Sequence, residues 1–205
     1  IQYKIPSSDK KFTDTVTLDE TGSGVSKELP LGTYDVQEIA NSVTSTTGQV
    51  VNPKVYKLTL SYANETTKLV TSTSTVTNTP VLGEITITKT GVESGTEMWN
   101  SHYSLAGNEF KLTSKTDGKT YTIVTDEKGI AKKAELPLGK YLVEETKASP
   151  GFVNTFKPVE VELTYKNNST EVVFGSAKGT NQEIKGENTL EKEDTETGKE
   201  SQGKA

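Results

Sequence analysis

Three side-chain types in this sequence combine into chemistry if they meet in one core: an amine, a carboxyl and a carboxamide. In ITITK, strand alternation puts Ile85, Ile87 and Lys89 on one face, with Thr86 and Thr88 on the other. The same rule aligns Tyr141, Val143 and Glu145 in YLVEE, and Tyr34, Val36 and Glu38 in YDVQE. The lysine and both glutamates therefore point where the apolar residues point. Val76 shares a face with Asn78, and Ile184 shares one with Asn188 and Leu190, which adds an amide near the end of each half. Burying a lone ammonium or carboxylate costs several kcal/mol, and pairing or neutralisation is the usual relief. The three groups together allow another outcome. Desolvation lowers the lysine pKa and raises that of the glutamate, so a neutral amine can attack the amide carbonyl while a protonated carboxyl polarises it. The product is an amide crosslink, formed with loss of ammonia.

The elements that must position these groups occur twice. ELPLGTYDVQE from Glu28 is echoed by ELPLGKYLVEE from Glu135. In that register IQYKIPSSDKKFTDTVTLDETGSG parallels NEFKLTSKTDGKTYTIVTDEKG, and VYKLTLSYANETTKLV parallels VEVELTYKNNSTEVVF. Short alternating stretches separated by turn residues, such as Asp117-Gly118 and Gly22 to Gly24, are the pattern of a β-sandwich, and no segment shows a 3.6-residue period. The copies differ at their starts. GEITITKTGVESGTEMWNSHYSLAG leads into the second copy, whereas the first begins at Ile1 without a lysine-bearing strand. The tail TLEKEDTETGKESQGKA again reads as a lead-in, with Lys192 on the face of Leu190. The expected organisation is an incomplete domain over 1–80, a complete one over 81–190, and a tail over 191–205 resembling the first strand of a further domain.

Composition narrows the function. Only 31% of the 205 residues are hydrophobic, so each core is thin and in need of reinforcement. With no cysteine and one histidine, His102, neither a disulfide nor a zinc site of the usual ligands supplies it. No cofactor or metal site is expected. A net charge of −5 with dispersed lysines argues against nucleic acid, and no apolar run is long enough to insert in a membrane. EMWNSHY, Glu97 to Tyr103, is read as a loop packing over the end of its own sandwich.

GEITITKTG, LAGNEFKL, TDEKG, LPLGKYLVEETKASPGF and the terminal GEN resemble the Cna B-type, or SpaA-like, domains of Gram-positive pilins and cell-wall-anchored surface adhesins. The resemblance implies an all-β architecture: two tandem prealbumin-like, Ig-like antiparallel β-sandwiches, the first lacking its N-terminal strand, with first and last strands side by side. Carried over residue by residue, it implies an isopeptide crosslink between Lys89 and Asn188, with Glu145 as catalytic acid and base. In the first copy Glu38 and Asn78 match but EIANSVTS replaces ETKASPGF, leaving an incomplete site for which Lys192 is the candidate partner in trans.

The expected function is mechanical: an extracellular stalk module of a surface adhesin or pilin, not an enzyme beyond one autocatalytic turnover on its own chain. Its partners would be neighbouring domains of the same surface protein or pilus, with strand exchange between copies. Rival readings are a module binding host matrix protein or glycan through EMWNSHY or end loops, and a polymerising pilin subunit. VNPK at Val51 carries a Pro-Lys pair but aligns with FKPV in the second copy, and no LPxTG-like sorting signal occurs.

Overall fold

The structure, a computed structural model, describes residues 1–193. It is all-β, with a single turn of 3-10 helix at Ala40–Ser42. Among the described residues no helix is long and apolar enough to cross a membrane. Of the lead-in expected over 191–205, everything beyond Glu193 lies outside the described residues.

The first copy contains β1 (Gln2–Pro6), β2 (Thr13–Thr17), β3 (Gly32–Glu38) and β5 (Tyr56–Leu60), in the sheet order β2-β1-β3-β5, all antiparallel. A short pair, β4 (Gln49–Val50) with β6 (Thr79–Pro80), closes its far side. Tyr3, Ile5, Val16, Tyr34 and Val36 form its buried cluster, the alternate positions of β1, β2 and β3.

The second copy is a two-sheet sandwich. One sheet runs β10 (Ile130–Leu136), β7 (Leu82–Gly91), β14 (Val172–Glu183), β12 (Phe152–Val153); the other runs β13 (Val159–Leu163), β11 (Gly139–Lys147), β8 (Glu109–Ser114), β9 (Thr120–Val124). The pairing is antiparallel with one exception. First and last strands lie side by side as expected, but β7 and β14 run parallel, from Leu82 against Val172 to Gly91 against Asn181. β7 alternates strictly, burying Gly83, Ile85, Ile87, Lys89 and Gly91. Its apolar members pack on Phe110, Leu112, Tyr141, Val143 and Leu163 from the facing sheet.

ELPLG performs the same task in both copies. The turn delivers the chain into β3 or β11, and the next tyrosine reaches back to it: Tyr34 Oη donates to the Pro30 carbonyl and Tyr141 Oη to the Pro137 carbonyl, each at 2.7 Å. Burial pushes the Tyr141 phenol up to about 12, since its neutral donor form is the one that fits. The copies also touch. The Val51 N–H donates to the Asn168 carbonyl, Tyr165 Oη donates to the Gln49 carbonyl, and the Asn168 side chain donates to Ala40 and Val43 carbonyls. Val50 and Val81 join the second copy's core.

Tyr34→Phe and Tyr141→Phe each leave a turn carbonyl without its donor while keeping the ring. Each is expected to lower stability by about 1 kcal/mol, measured as a reduced urea midpoint at unchanged slope.

Candidate functional site

Lys89 ends the run of inward residues on β7 and is 1% exposed. It lies between the sheets, where Glu145 meets it from β11 with a side chain from which solvent is excluded entirely. Lys89 Nζ stands 3.4 Å from Glu145 Oε2 and donates at 2.8 Å to Asn181 Oδ1. The asparagine returns the contact: Asn181 Nδ2 donates to Glu145 Oε1 at 2.7 Å. Amine, carboxyl and carboxamide thus form a closed ring of contacts in a dry core.

The carboxamide comes from Asn181 on β14, not from Asn188. Asn188 is exposed and follows the end of β14 at Glu183. The alternation that put Ile184, Asn188 and Leu190 on one inward face does not hold, because β14 ends at Glu183 and these residues are exposed. A signal for the right residue was available. Thr77-Asn78 and Thr180-Asn181 precede Lys89 and Lys192 at equal spacing, so Asn181 is the repeat partner of Asn78.

Burial lowers the Lys89 pKa, and the Glu145 charge and hydrogen bond only partly restore it. Burial raises the Glu145 carboxyl, against the opposing pull of Asn181 and Lys89. Both shifts favour the uncharged pair, a neutral amine beside a protonated acid. The Phe156 ring walls the site, its centroid 5.1 Å from Lys89 Nζ and edge-on to Phe110.

Two residues without a distinguishing sequence pattern orient the carboxamide. Buried Asn108 accepts from Asn181 Nδ2 at 3.3 Å, and is itself held by donating to Leu105 and Thr125 and by accepting from the Ser149 N–H. The Thr155 N–H donates to Asn181 Oδ1 at 3.1 Å. Nδ2 thus faces acceptors only and Oδ1 faces donors only, which fixes the flip of the amide. The Thr155 N–H, unlike Glu145, stands at the carbonyl oxygen, where a donor stabilises negative charge.

In the first copy Glu38 is buried and accepts from Asn78 Nδ2 at 2.7 and 3.0 Å. The amine is replaced by Tyr3 Oη, 3.2 Å from Glu38 Oε1 and 3.1 Å from Asn78 Oδ1. Lys192 is exposed, on a segment outside the strands. In EMWNSHY, Trp99 and Phe152 both pack edge-on against Tyr103, whose hydroxyl donates to the Ile184 carbonyl. Lys185 Nζ lies over the Trp99 ring. The loop therefore caps its own sandwich, with Trp99 half-exposed.

The comparisons with known proteins agree with this architecture. Residues 83–178 match the family model of the SpaA prealbumin-like fold domain, so the resemblance read from the motifs holds over that segment. Among solved structures, the Bacillus anthracis TIE protein aligns at TM-score 0.60 and 25% identity, over 89% of this chain and 31% of that one. The major pilin SpaD from Corynebacterium diphtheriae aligns at TM-score 0.36 and 26% identity, over 50% of this chain and 30% of that one. BcpA, the major pilin subunit of Bacillus cereus, aligns at TM-score 0.41 and 20% identity, over 78% and 42%. The chain thus spans less than half the length of each. No curated protein sequence matches it.

Two variants probe the surroundings of the site. A Cβ on Gly179 would fall 2.3 Å from Phe156 Cδ2. Gly179→Ala is expected to push the ring off Lys89, cost about 1–3 kcal/mol and leave a fraction of chains without the crosslink proposed below, read by intact mass. Glu183, at the end of β14, accepts from the Glu93 and Ser94 N–H groups and the Ser94 hydroxyl. Burial alone would raise its carboxyl, but these donors outweigh it and bring the pKa to about 2, from an ordinary 4.5. Because the folded value is depressed, this stabilisation is complete above the ordinary value and is lost as pH falls toward 2. Glu183→Gln should cost about 2 kcal/mol at neutral pH, and the difference from the parent should shrink in melts taken progressively below pH 4.5.

Proposed function

We propose that this chain is a stalk module of a Gram-positive cell-surface pilin or adhesin, stabilised by an autocatalytic isopeptide bond between Lys89 and Asn181. The observation carrying the reading is the closed contact of Lys89, Glu145 and Asn181 in the core of a prealbumin-like domain. The proton of the Lys89 ammonium passes to Glu145, and the neutral amine attacks Asn181 Cγ. Glu145 then delivers that proton to Nδ2 and takes a second one from the attacking nitrogen, the Cγ–Nδ2 bond breaks, and ammonia leaves with Glu145 protonated. Asn108 and the Thr155 N–H act as positioning groups. The reaction occurs once on its own chain, so no turnover of an external substrate is assigned.

The bond joins the first strand to the last. Tension entering β7 at Leu82 would cross to β14 at Asn181, bypassing everything between. That is the reinforcement a cysteine-free chain with thin cores needs, and it suits an extracellular rod whose partners are neighbouring modules of the same surface protein. Trp99 is engaged within its own domain, which weighs against a host-matrix or glycan site at that loop.

Intact-mass measurement of folded protein is expected to give a deficit of about 17 Da, the ammonia lost in acyl transfer. Lys89→Ala, Glu145→Ala and Asn181→Ala should each restore the full mass and lower the melting temperature, whereas Asn188→Ala should retain the deficit. A full-mass parent protein, or a deficit surviving Asn181→Ala, would refute the assignment. The neutral pair carries as many protons as the ion pair, so the rate of bond formation should be flat around neutral pH.

A further inference from the structure

The side-chain nitrogen of Asn181 is met by two acceptors of different kinds, Glu145 Oε1 at 2.7 Å and Asn108 Oδ1 at 3.3 Å. The acid adapts to what it faces, since a carboxyl accepts when ionised and donates when protonated. Asn108 cannot adapt. Its Nδ2 donates to the Leu105 carbonyl at 2.9 Å and to Thr125 Oγ1 at 3.1 Å, while its Oδ1 also accepts from the Ser149 N–H at 3.0 Å. The Thr125 hydroxyl is committed in turn: it donates to the same Leu105 carbonyl at 2.6 Å, which leaves it an acceptor toward the Asn108 backbone and side chain. Turning the Asn108 amide over would set its nitrogen against the Ser149 N–H and its oxygen against the Leu105 carbonyl. Asn108, Thr125 and Ser149 are all buried, so solvent does not repair such a mismatch. Asn108 Oδ1 is therefore fixed as an acceptor.

A fixed acceptor at this point distinguishes the two side chains of one shape that could donate the acyl group. An asparagine carries two hydrogens on the atom concerned, one for Glu145 and one for Asn108. An aspartate carries none when ionised, and when protonated its single hydrogen serves only one of the two. To satisfy both contacts, the aspartate and Glu145 must be protonated together. A buried polar group left unpaired in this way is how a site rejects a near-isostere. The arrangement recurs in the first copy from a different source. There the Asn78 nitrogen meets, besides its acid, the Val50 carbonyl at 3.0 Å, an acceptor that has no donor form.

We propose that Asn108 is a specificity-determining residue of the crosslinking reaction: its fixed Oδ1 selects a carboxamide over a carboxyl as the acyl donor and holds the departing nitrogen. The inference rests on the bond between Lys89 and Asn181 proposed above. As Cγ–Nδ2 breaks, the nitrogen keeps its two hydrogens and takes a third from Glu145, so ammonia, a donor, stands against Asn108. An aspartate would release water at the same point.

The full chain, made in a cell-free reaction and sampled over time into acid, gives the rate of bond formation from intact mass. The loss is about 17 Da for the parent and about 18 Da for Asn181→Asp. Asn181→Asp is expected to react about 10- to 100-fold more slowly than the parent. Asn108→Leu keeps the volume and removes the oxygen; it should slow the parent but not Asn181→Asp, shrinking the preference by about 10-fold or more. A purely structural role for Asn108 would slow both alike. An unchanged preference in Asn108→Leu would overturn the proposal, as would Asn181→Asp matching the parent rate, a comparison that stands even if Asn108→Leu fails to fold. Either result leaves the Lys89 to Asn181 bond in place, whereas a parent that never loses ammonia would overturn both.

Discussion

The structure of the second copy depends on one constraint: an ammonium and a carboxylate cannot be left alone in a dry core. Lys89 and Glu145 are both withdrawn from water, so each needs the other, and Asn181 occupies the hydrogen-bonding capacity that remains. The surrounding packing follows from that need. Asn108 and Thr155 orient the amide, and Phe156 closes the site to water. Burial that disfavours both charged forms holds the pair as a neutral amine beside a protonated acid, so the electrostatic cost is relieved within the core itself.

Half of this was legible from residue order. Strict alternation in ITITK and YLVEE places Lys89 and Glu145 inward, because both strands carry large apolar residues on the buried face, although in YLVEE a slip of one residue would put Glu144 there instead. The strand carrying Asn181 gives no such signal. Its inward positions include Gly175, Ala177 and Gly179, since Val161, Leu163 and Phe156 of the opposing layer fill the space that side chains there would take. Outward, Phe174 is exposed. Apolar periodicity is thus inverted on β14, and alternation points past it to Asn188. Asn108 and Thr155 act through hydrogen bonds that only the assembled sandwich brings together.

The two copies differ in the group that meets the acid and the amide. Glu38 and Asn78 repeat the acid and amide, yet a phenol hydroxyl meets both where the other copy has an amine. Burial and the Glu38 charge raise the Tyr3 pKa, keeping the phenol neutral and a donor. A hydroxyl in that place satisfies the pair without bonding to it. Tyr3 and Phe110 differ by one oxygen atom, and in the first copy that atom takes the contacts that Lys89 Nζ makes in the second.

The parallel run of β7 beside β14 has a consequence independent of any covalent bond. The strands begin at the same edge, Leu82 against Val172, but the chain arrives at the start of one and departs from the finish of the other. Opposed tugs on those two points slide one strand along its neighbour, and the ladder between them resists as a whole, like a lap joint in shear. An antiparallel neighbour would open one rung at a time, as a zipper does. Load applied at those two points is thus shared by the whole ladder, with no covalent link required.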